Sequence, residues 1–322
     1  MKTFARPRIV VSRCIEFEPV RYDGSMMKSE LVATLKPFAN FIPVCPEVEI
    51  GLPIPRDSLR IINNKDERRL VQTATGLDLT DKMNKWADNF LHSLSPIDGF
   101  IMKAKSPSSA LFDAKVYPSL EKVASIGRSA GFFGAKVLAG FSHLAVEDEM
   151  RLLNTRIRDH FLKKLFTLAS FRELKEAGST ERLVQFQAEN KLLLTAYSQK
   201  ELGTLGRLVA NRKSIPQGRL FNAYFEHLIA AFKQPPRSSS NINIALKSLG
   251  YFSDRLEQTE KKFFLEQLDN YQAGKVPFSV PAAILNSWFV RFKEEYLLNQ
   301  TFYNPYPNQL ANLETTSARL NG

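Results

Sequence analysis

The chain of 322 residues is 44% hydrophobic and 24% charged, with a formal net charge of +11, an ordinary globular composition and a length that suits two domains. No apolar run reaches the roughly 18–20 residues of a membrane span, and Ile9-Val10-Val11 is too short a core for a secretory signal peptide, so a cytoplasmic protein with no membrane partner is expected. The only two cysteines, Cys14 and Cys45, argue against a disulfide framework and fit a reducing compartment, where both could be small buried residues.

In chain order, Pro7–Ser12 reads as a short apolar strand, and Ser29–Phe38 has helical spacing at Leu31, Val32 and Leu35. Asn40–Val44 is strand-like and Leu70-Val71-Gln72 is short and apolar. Asp81–Leu94 is an amphipathic helix with Thr80 as its expected N-cap, and Asp98–Lys103 is another strand. This β-α-β-α rhythm predicts an α/β domain over residues 1–150, a Rossmann-like parallel sheet layered with helices on both faces.

From residue 151 to 322 the pattern is all-helical. Leu152–Lys175 carries apolar residues at helical spacing, and Gly178-Ser179-Thr180 interrupts it, with Thr180 as the expected cap of the next helix. Arg182–Val209 reads as one stretch broken near Gly203. Leu220–Phe232, Ile242–Asp269 and Ala282–Leu298 follow, with Pro235–Ser240 as a loop and a polar tail after Leu310.

The charge divides unevenly. Residues 1–150 hold 20 Lys+Arg against 18 Asp+Glu, and residues 151–322 hold 24 against 15. A surplus of +9 on the helical half predicts a polyanionic partner, with phosphates as the target; solvated helix faces with a basic bias are the plainer alternative. Candidate contacts are Lys191, Lys200, Arg207, Arg212, Lys213 and Arg219, interleaved with Tyr197 and Tyr224 as bases' stacking partners or as core residues.

Three strand ends share one geometry: Ser12-Arg13-Cys14, Cys45-Pro46-Glu47 and Ser106-Pro107-Ser108-Ser109. In an open parallel sheet the loops at the carboxyl ends of the strands line the ligand crevice. Both cysteines, a carboxylate and a serine cluster are therefore expected to meet. Each segment also has a plainer reading alone, since proline ends a strand and Ser-Pro-Ser-Ser is a common turn. No phosphate-binding loop, dinucleotide fingerprint or His-Glu-x-x-His is present. His92, His143, His160 and His227 lack zinc-ligand spacing.

Ser12-Arg13-Cys14 with Glu18–Gly24, Phe41–Glu49, and Lys105–Ser108 resemble the three signatures of the thiouracil-desulfurase-like domain. The helical half resembles the YbgA-type domain often fused to it, through Tyr197–Lys200 with Leu205–Val209, Gly250-Tyr251-Phe252 and Tyr296–Gln300. The likeness runs to about residue 310. It implies a desulfidase that converts 4-thiouridine in tRNA to uridine, with a helical RNA-binding domain, tRNA or another thiolated RNA as partner and no obligate protein partner. It implies a [4Fe–4S] cluster with Cys14 and Cys45 as metal ligands, and Glu47 and Ser106 as the catalytic pair for proton transfer and substrate activation. Ser109 stands where the family has its third cluster cysteine, and histidines the family shows near Asn190 and Ser240 are absent. Three functions follow for testing: a desulfidase using Cys14, Cys45 and Ser109; a non-catalytic RNA-binding protein; and an enzyme of free thiouracil-like bases.

Overall fold

The computed structural model describes residues 3–64 and 67–311. It contains two compact units, one running to Arg172 and the other spanning Glu173–Ala311; the tail after Ala311 lies outside the described residues. No helix is long and apolar enough to cross a membrane among the described residues.

The first unit is built on a parallel sheet. Strand β1 (Arg8–Ser12) buries Ile9, Val10 and Val11 completely, as expected for a strand covered on both faces. Helix α1 (Glu30–Leu35) follows, capped by the Ser29 hydroxyl and burying Leu31, Val32 and Leu35. It leads to β2 (Asn40–Val44) and the short helix α2 (Pro46–Glu49). Strands β3 (Leu59–Asn64) and β4 (Glu67–Gln72) come next, then α3 (Thr80–Ser93), β5 (Gly99–Met102), β6 (Ala114–Tyr117), β7 (Gly127–Ser129), α4 (Phe132–Phe141) and β8 (Ala145–Asp148). The order β2-β1-β5-β8 forms the parallel sheet. Pro43 is tolerated because β2 is an edge strand.

Two local expectations change. Leu70–Gln72 is a strand, but β4 belongs to a second, mixed sheet ordered β4-β3-β6-β7, in which it pairs antiparallel with β3. Thr80 is the first residue of α3 rather than its cap: the N-cap is Leu79. The Thr80 hydroxyl instead accepts from the Leu70 amide at 2.8 Å, while Asp78 accepts from the Thr80 amide at 2.8 Å. A strand and a helix start thus share the polar groups that sequence assigns to the helix alone.

Helix α5 (Thr155–Ala177) runs across the division at Arg172, some twenty residues beyond the boundary expected at 150/151. Within the first unit it packs on the sheet: Phe166 meets Phe4 edge-on at 6.1 Å, and Arg172 Nε bonds both oxygens of buried Asp98 at 3.1 Å.

The second unit is helical: α6 (Thr180–Glu189), α7 (Lys191–Tyr197), α8 (Gln199–Ala210), α9 (Gln217–Ala231), α10 (Ser238–Gly250), α11 (Gln258–Gln272), α12 (Ser279–Arg291) and α13 (Glu295–Leu298). The cap of α6 is Ser179, not Thr180. The stretch expected to break near Gly203 breaks instead at Asn190 and Ser198; Gly203 lies inside α8. The Asn190 break is held from a distance. Buried Gln300 accepts from the Leu192 amide at 3.0 Å and donates to Ala188 O at 2.9 Å, and Thr301 donates to Asn190 Oδ1 at 2.7 Å. Ile242–Asp269 splits into α10 and α11 around Tyr251–Glu257. Tyr224, Phe232, Phe252, Phe264 and Phe289 form fully buried parts of the core.

Candidate functional site

The parallel registers Ser12↔Val44 and Val11↔Ile101 put the carboxyl ends of β1, β2 and β5 on one edge of the sheet. The segments leaving that edge enclose a cavity of about 400 Å³ lined by Cys14, Cys45, Glu47, Ser106 and Ser109. The expected convergence is therefore found, and each residue has a local reason to be there. Pro46 occupies the first turn of α2 with Cys45 as N-cap, so proline begins a helix here and aims Glu47 inward. The Ser106–Ala110 loop lies against the start of α4. Ser108 O accepts from the Phe133 and Gly134 amides at 2.8 and 3.0 Å. A Cβ at Gly131 would collide with the Ser108 carbonyl, and one at Gly134 with the Ala110 carbonyl. Only glycine permits this approach. The small residues at 127–134 hold the serine loop, a role visible in sequence only as their density.

The polar groups form a directed chain. Ser108, fully buried, donates its hydroxyl to Glu47 Oε1. The Ser106 and Ser108 hydroxyls are 3.1 Å apart. Because a serine has one hydroxyl proton and Ser108 spends its own on Glu47, Ser106 is the donor of that bond. Ser106 Oγ in turn accepts from the amides of Ser108 and Ser109 at 3.3 and 3.1 Å. Arg56 flanks the carboxylate at 3.8 Å, donates to Val20 O at 2.9 Å and approaches Cys45 Sγ at 3.7 Å. Lys103 pairs with Glu149 at 2.6 Å, and Glu149 also accepts from the Ala104 amide at 2.8 Å. Arg56, Ser108 and the Lys103–Glu149 pair were not singled out from sequence.

Both cysteines are buried. Burial, with the Glu47 carboxylate second, pushes the Cys14 thiol up to about 11 and that of Cys45 up to about 12. Cys45 Sγ donates to Glu47 Oε2 at 3.3 Å, the geometry of a neutral thiol. Among the described residues no three His, Cys, Asp or Glu side chains converge as a metal site.

In the second unit, Lys191, Lys200, Arg207, Lys213 and Arg219 are exposed and Arg212 is half-buried. Lys200 and Arg207 lie seven residues apart on α8, and so on one face. Arg212 donates to Val209 O at 3.2 Å. Tyr197 is half-buried, its ring 4.4 Å from that of Phe232. Tyr224 is fully buried and donates to Gln187; it is a core residue and presents no face for stacking. His227 bonds Glu201 at 2.6 Å.

Residues 9–149 match a family described as 2-thiouracil desulfurase, and residues 191–307 match one described as a protein of unknown function (DUF1722). The chain is 26% identical over 157 residues to the uncharacterized protein YbgA of Escherichia coli (strain K12), covering 47% of this chain and 91% of YbgA. It is 32% identical over 107 residues to the uncharacterized protein YbbK of Bacillus subtilis (strain 168), covering 31% of this chain and 71% of YbbK. Among solved structures, a [4Fe-4S]-dependent thiouracil desulfidase, TudS, is 27% identical with a TM-score of 0.36, covering 46% of this chain and 93% of TudS. The chain belongs to the 2-thiouracil desulfurase family through its α/β half, which is followed by a helical region of the DUF1722, YbgA-like kind.

Proposed function

We propose that this protein removes sulfur from a thiolated uridine in RNA, 4-thiouridine of tRNA foremost, leaving uridine. The observation that carries the reading is the Ser106–Ser108–Glu47 chain, facing two buried cysteines inside the segment that matches the desulfurase family. The reaction exchanges C=S for C=O: water supplies the oxygen, sulfur leaves as hydrogen sulfide, and no electrons are transferred. Ser106 takes a proton from the attacking water as it passes its own through Ser108 to Glu47. The Ser108 and Ser109 amides stabilise oxygen charge on Ser106 in transit. Glu47 returns the proton to the departing sulfur, a general acid–base cycle. The exposed cations of α7–α9 supply the RNA-binding surface.

Family resemblance implies a [4Fe–4S] cluster held by three thiolates, but the donors present do not fit one. The chain has two cysteines, and Ser109 offers a harder, much more basic oxygen in place of the third. No step is assigned to a cluster.

The test is incubation of the full-length protein with tRNA containing 4-thiouridine, following loss of the nucleoside and release of sulfide. Turnover that Ser106→Ala abolishes supports the reading; unchanged 4-thiouridine overturns it. The Ser109 position favours a second reading, a non-catalytic RNA-binding protein, which predicts salt-sensitive tRNA binding without sulfide. Activity on free thiouracil alone would assign the site to free bases.

A further inference from the structure

The second sheet, β4-β3-β6-β7, has two unlike faces. Side chains alternate along each strand, and Ile61, Ala114 and Val116 turn inward, where they pack with Ala110 and Phe132. The residues between them, Arg60 and Ile62 on β3 and Lys115 and Tyr117 on β6, therefore share the outer face. Arg128 of β7 joins them, since it lies directly opposite Lys115. Ile61 pairs in parallel with Val116, so the preceding residues, Arg60 and Lys115, also stand side by side. Three cations from three adjacent strands thus form a row, at the roughly 4.8 Å spacing of neighbouring strands.

The row lacks counter-charge. Arg69, on the same face, is neutralised by Glu67 at 2.6 Å and Asp78 at 3.6 Å. Among the described residues Arg60, Lys115 and Arg128 have no such partner. Lys115 and Arg128 are exposed, and Arg60 is half-buried. Arg60 is oriented without being neutralised: it donates to the Leu120 and Glu121 carbonyls at 3.3 and 2.9 Å, and its guanidinium lies 4.5 Å from the Tyr117 ring centre. Like charges directly opposite on paired strands destabilise a sheet. The Lys115–Arg128 pair therefore has a standing electrostatic cost, which an anion laid across it removes. The row also begins at the cavity: Leu59 is part of the cavity wall, and Arg60 is the next residue of β3.

We infer that the outer face of the second sheet is a contact surface for the phosphate backbone of the substrate RNA, with Arg60, Lys115 and Arg128 as its cations. The inference rests on the proposed function and adds a surface on the α/β unit to the one on α7–α9. Arg60 lies over the Tyr117 ring and Ile62 offers no hydrogen bond, so the surface meets charge and does not read base identity. Contact here is independent of thiolation. An acidic protein segment would meet the same charges; RNA is favoured because the row adjoins the cavity in which its uridine reacts.

The experiment is filter binding of an unmodified tRNA transcript to the full-length protein across a salt series. The proteins are the parent, Lys115→Gln/Arg128→Gln, the charge-conserving Lys115→Arg/Arg128→Lys, and a control, Lys82→Gln/Lys85→Gln. The control removes two exposed cations of α3, which packs on the inner face through Met83 and Leu70. Lys115→Gln/Arg128→Gln is expected to lower the log–log salt slope by about 2 and the affinity at low salt by about tenfold or more. The charge-conserving variant and the control keep the parental slope. Without RNA, Lys115→Gln/Arg128→Gln should unfold at or above the parental denaturant midpoint, because it relieves the like-charge pair. A parental slope in that variant overturns the inference and leaves the proposed function standing, with an acidic protein as the partner of this face. An equal fall in the control, a fall in the charge-conserving variant or a lowered midpoint without RNA also overturns it. Absence of tRNA binding by the parent at low salt overturns the inference and the proposed function together.

Discussion

Ser108 donates its hydroxyl to Glu47 across 61 positions of sequence, and both residues are buried. This bond joins the loop after β5 to the helix after β2. It also decides the direction of the neighbouring Ser106–Ser108 bond, so a pair of serines becomes a route for a proton toward a carboxylate.

Ser108→Ala cuts that route and leaves Glu47 Oε1 without its partner. A stability loss of about 1–2 kcal/mol, read as a lower unfolding midpoint, is expected, the cost of one orphaned buried acceptor. Desulfuration should fall about 100-fold, the lower end of what acid–base groups contribute. Chemical denaturation and a sulfide-release assay measure the two effects. Parental turnover in the alanine variant would remove Ser108 from the route.

Ser109→Cys places a third thiol in the cavity. Supplied anaerobically with iron and sulfide, the variant is expected to acquire the absorption and iron content of a cluster, and the parent is not. Equal iron in both proteins would show that two cysteines suffice.

The neutral state of the thiols has a pH signature. Both are raised from an ordinary value of 9.0 by burial. Alkylation of the native protein should therefore be slow at pH 8 and quicken about tenfold per pH unit up to pH 10, since the thiolate is the nucleophile. The same shift sets the sign for stability. The unfolded chain releases these protons from about pH 9, whereas the folded chain keeps them to about 11 and 12. Their contribution to stability is complete below pH 9 and is lost across that window. A flat alkylation rate from pH 8 to 10 would show that the thiols are already ionised.

Asp98 is buried beside Arg172 and accepts from the Arg8 amide at 2.8 Å. Burial outweighs these partners and raises its carboxyl above the usual carboxylate range. Asp98→Ala removes the carboxylate paired with the mostly buried Arg172 guanidinium, which keeps its bond to Arg6 O, and should destabilise the first unit by about 3 kcal/mol, read as a lower denaturant midpoint with the helical signal of the second unit as comparison.

On the helical side, replacing Lys200 and Lys213 by Gln is expected to weaken tRNA binding uniformly across sequences and to lower the log–log salt slope by about 2, one for each phosphate contact removed. Filter binding at several salt concentrations gives the slope. An unchanged slope would place the RNA on another surface.

The sequence alone determined a good deal. Apolar runs at Ile9–Val11 and Phe100–Met102 specified covered strands, and the 3.6-residue spacing beyond residue 151 specified helices, because burial of apolar side chains follows the local period of each element. The placement of Cys14, Cys45, Glu47 and the Ser106–Ser109 cluster just past strand ends made their meeting legible, since parallel strands bring their carboxyl ends to one edge. The second sheet was not legible, because Ala114–Tyr117 and Gly127–Ser129 are short and the parallel pairing that joins Leu59–Asn64 to Ala114–Tyr117, Ile61 opposite Val116, links strands far apart in sequence. Nor was the core position of Tyr224, which has the same composition signal as a stacking residue until neighbours enclose it. The direction of the Ser106–Ser108 bond, set by Glu47 61 positions from Ser108, and the neutralisation of Lys103 by Glu149, 46 positions away, are relations between distant residues. Local propensity carries no information about them, and only the packed tertiary structure decides them.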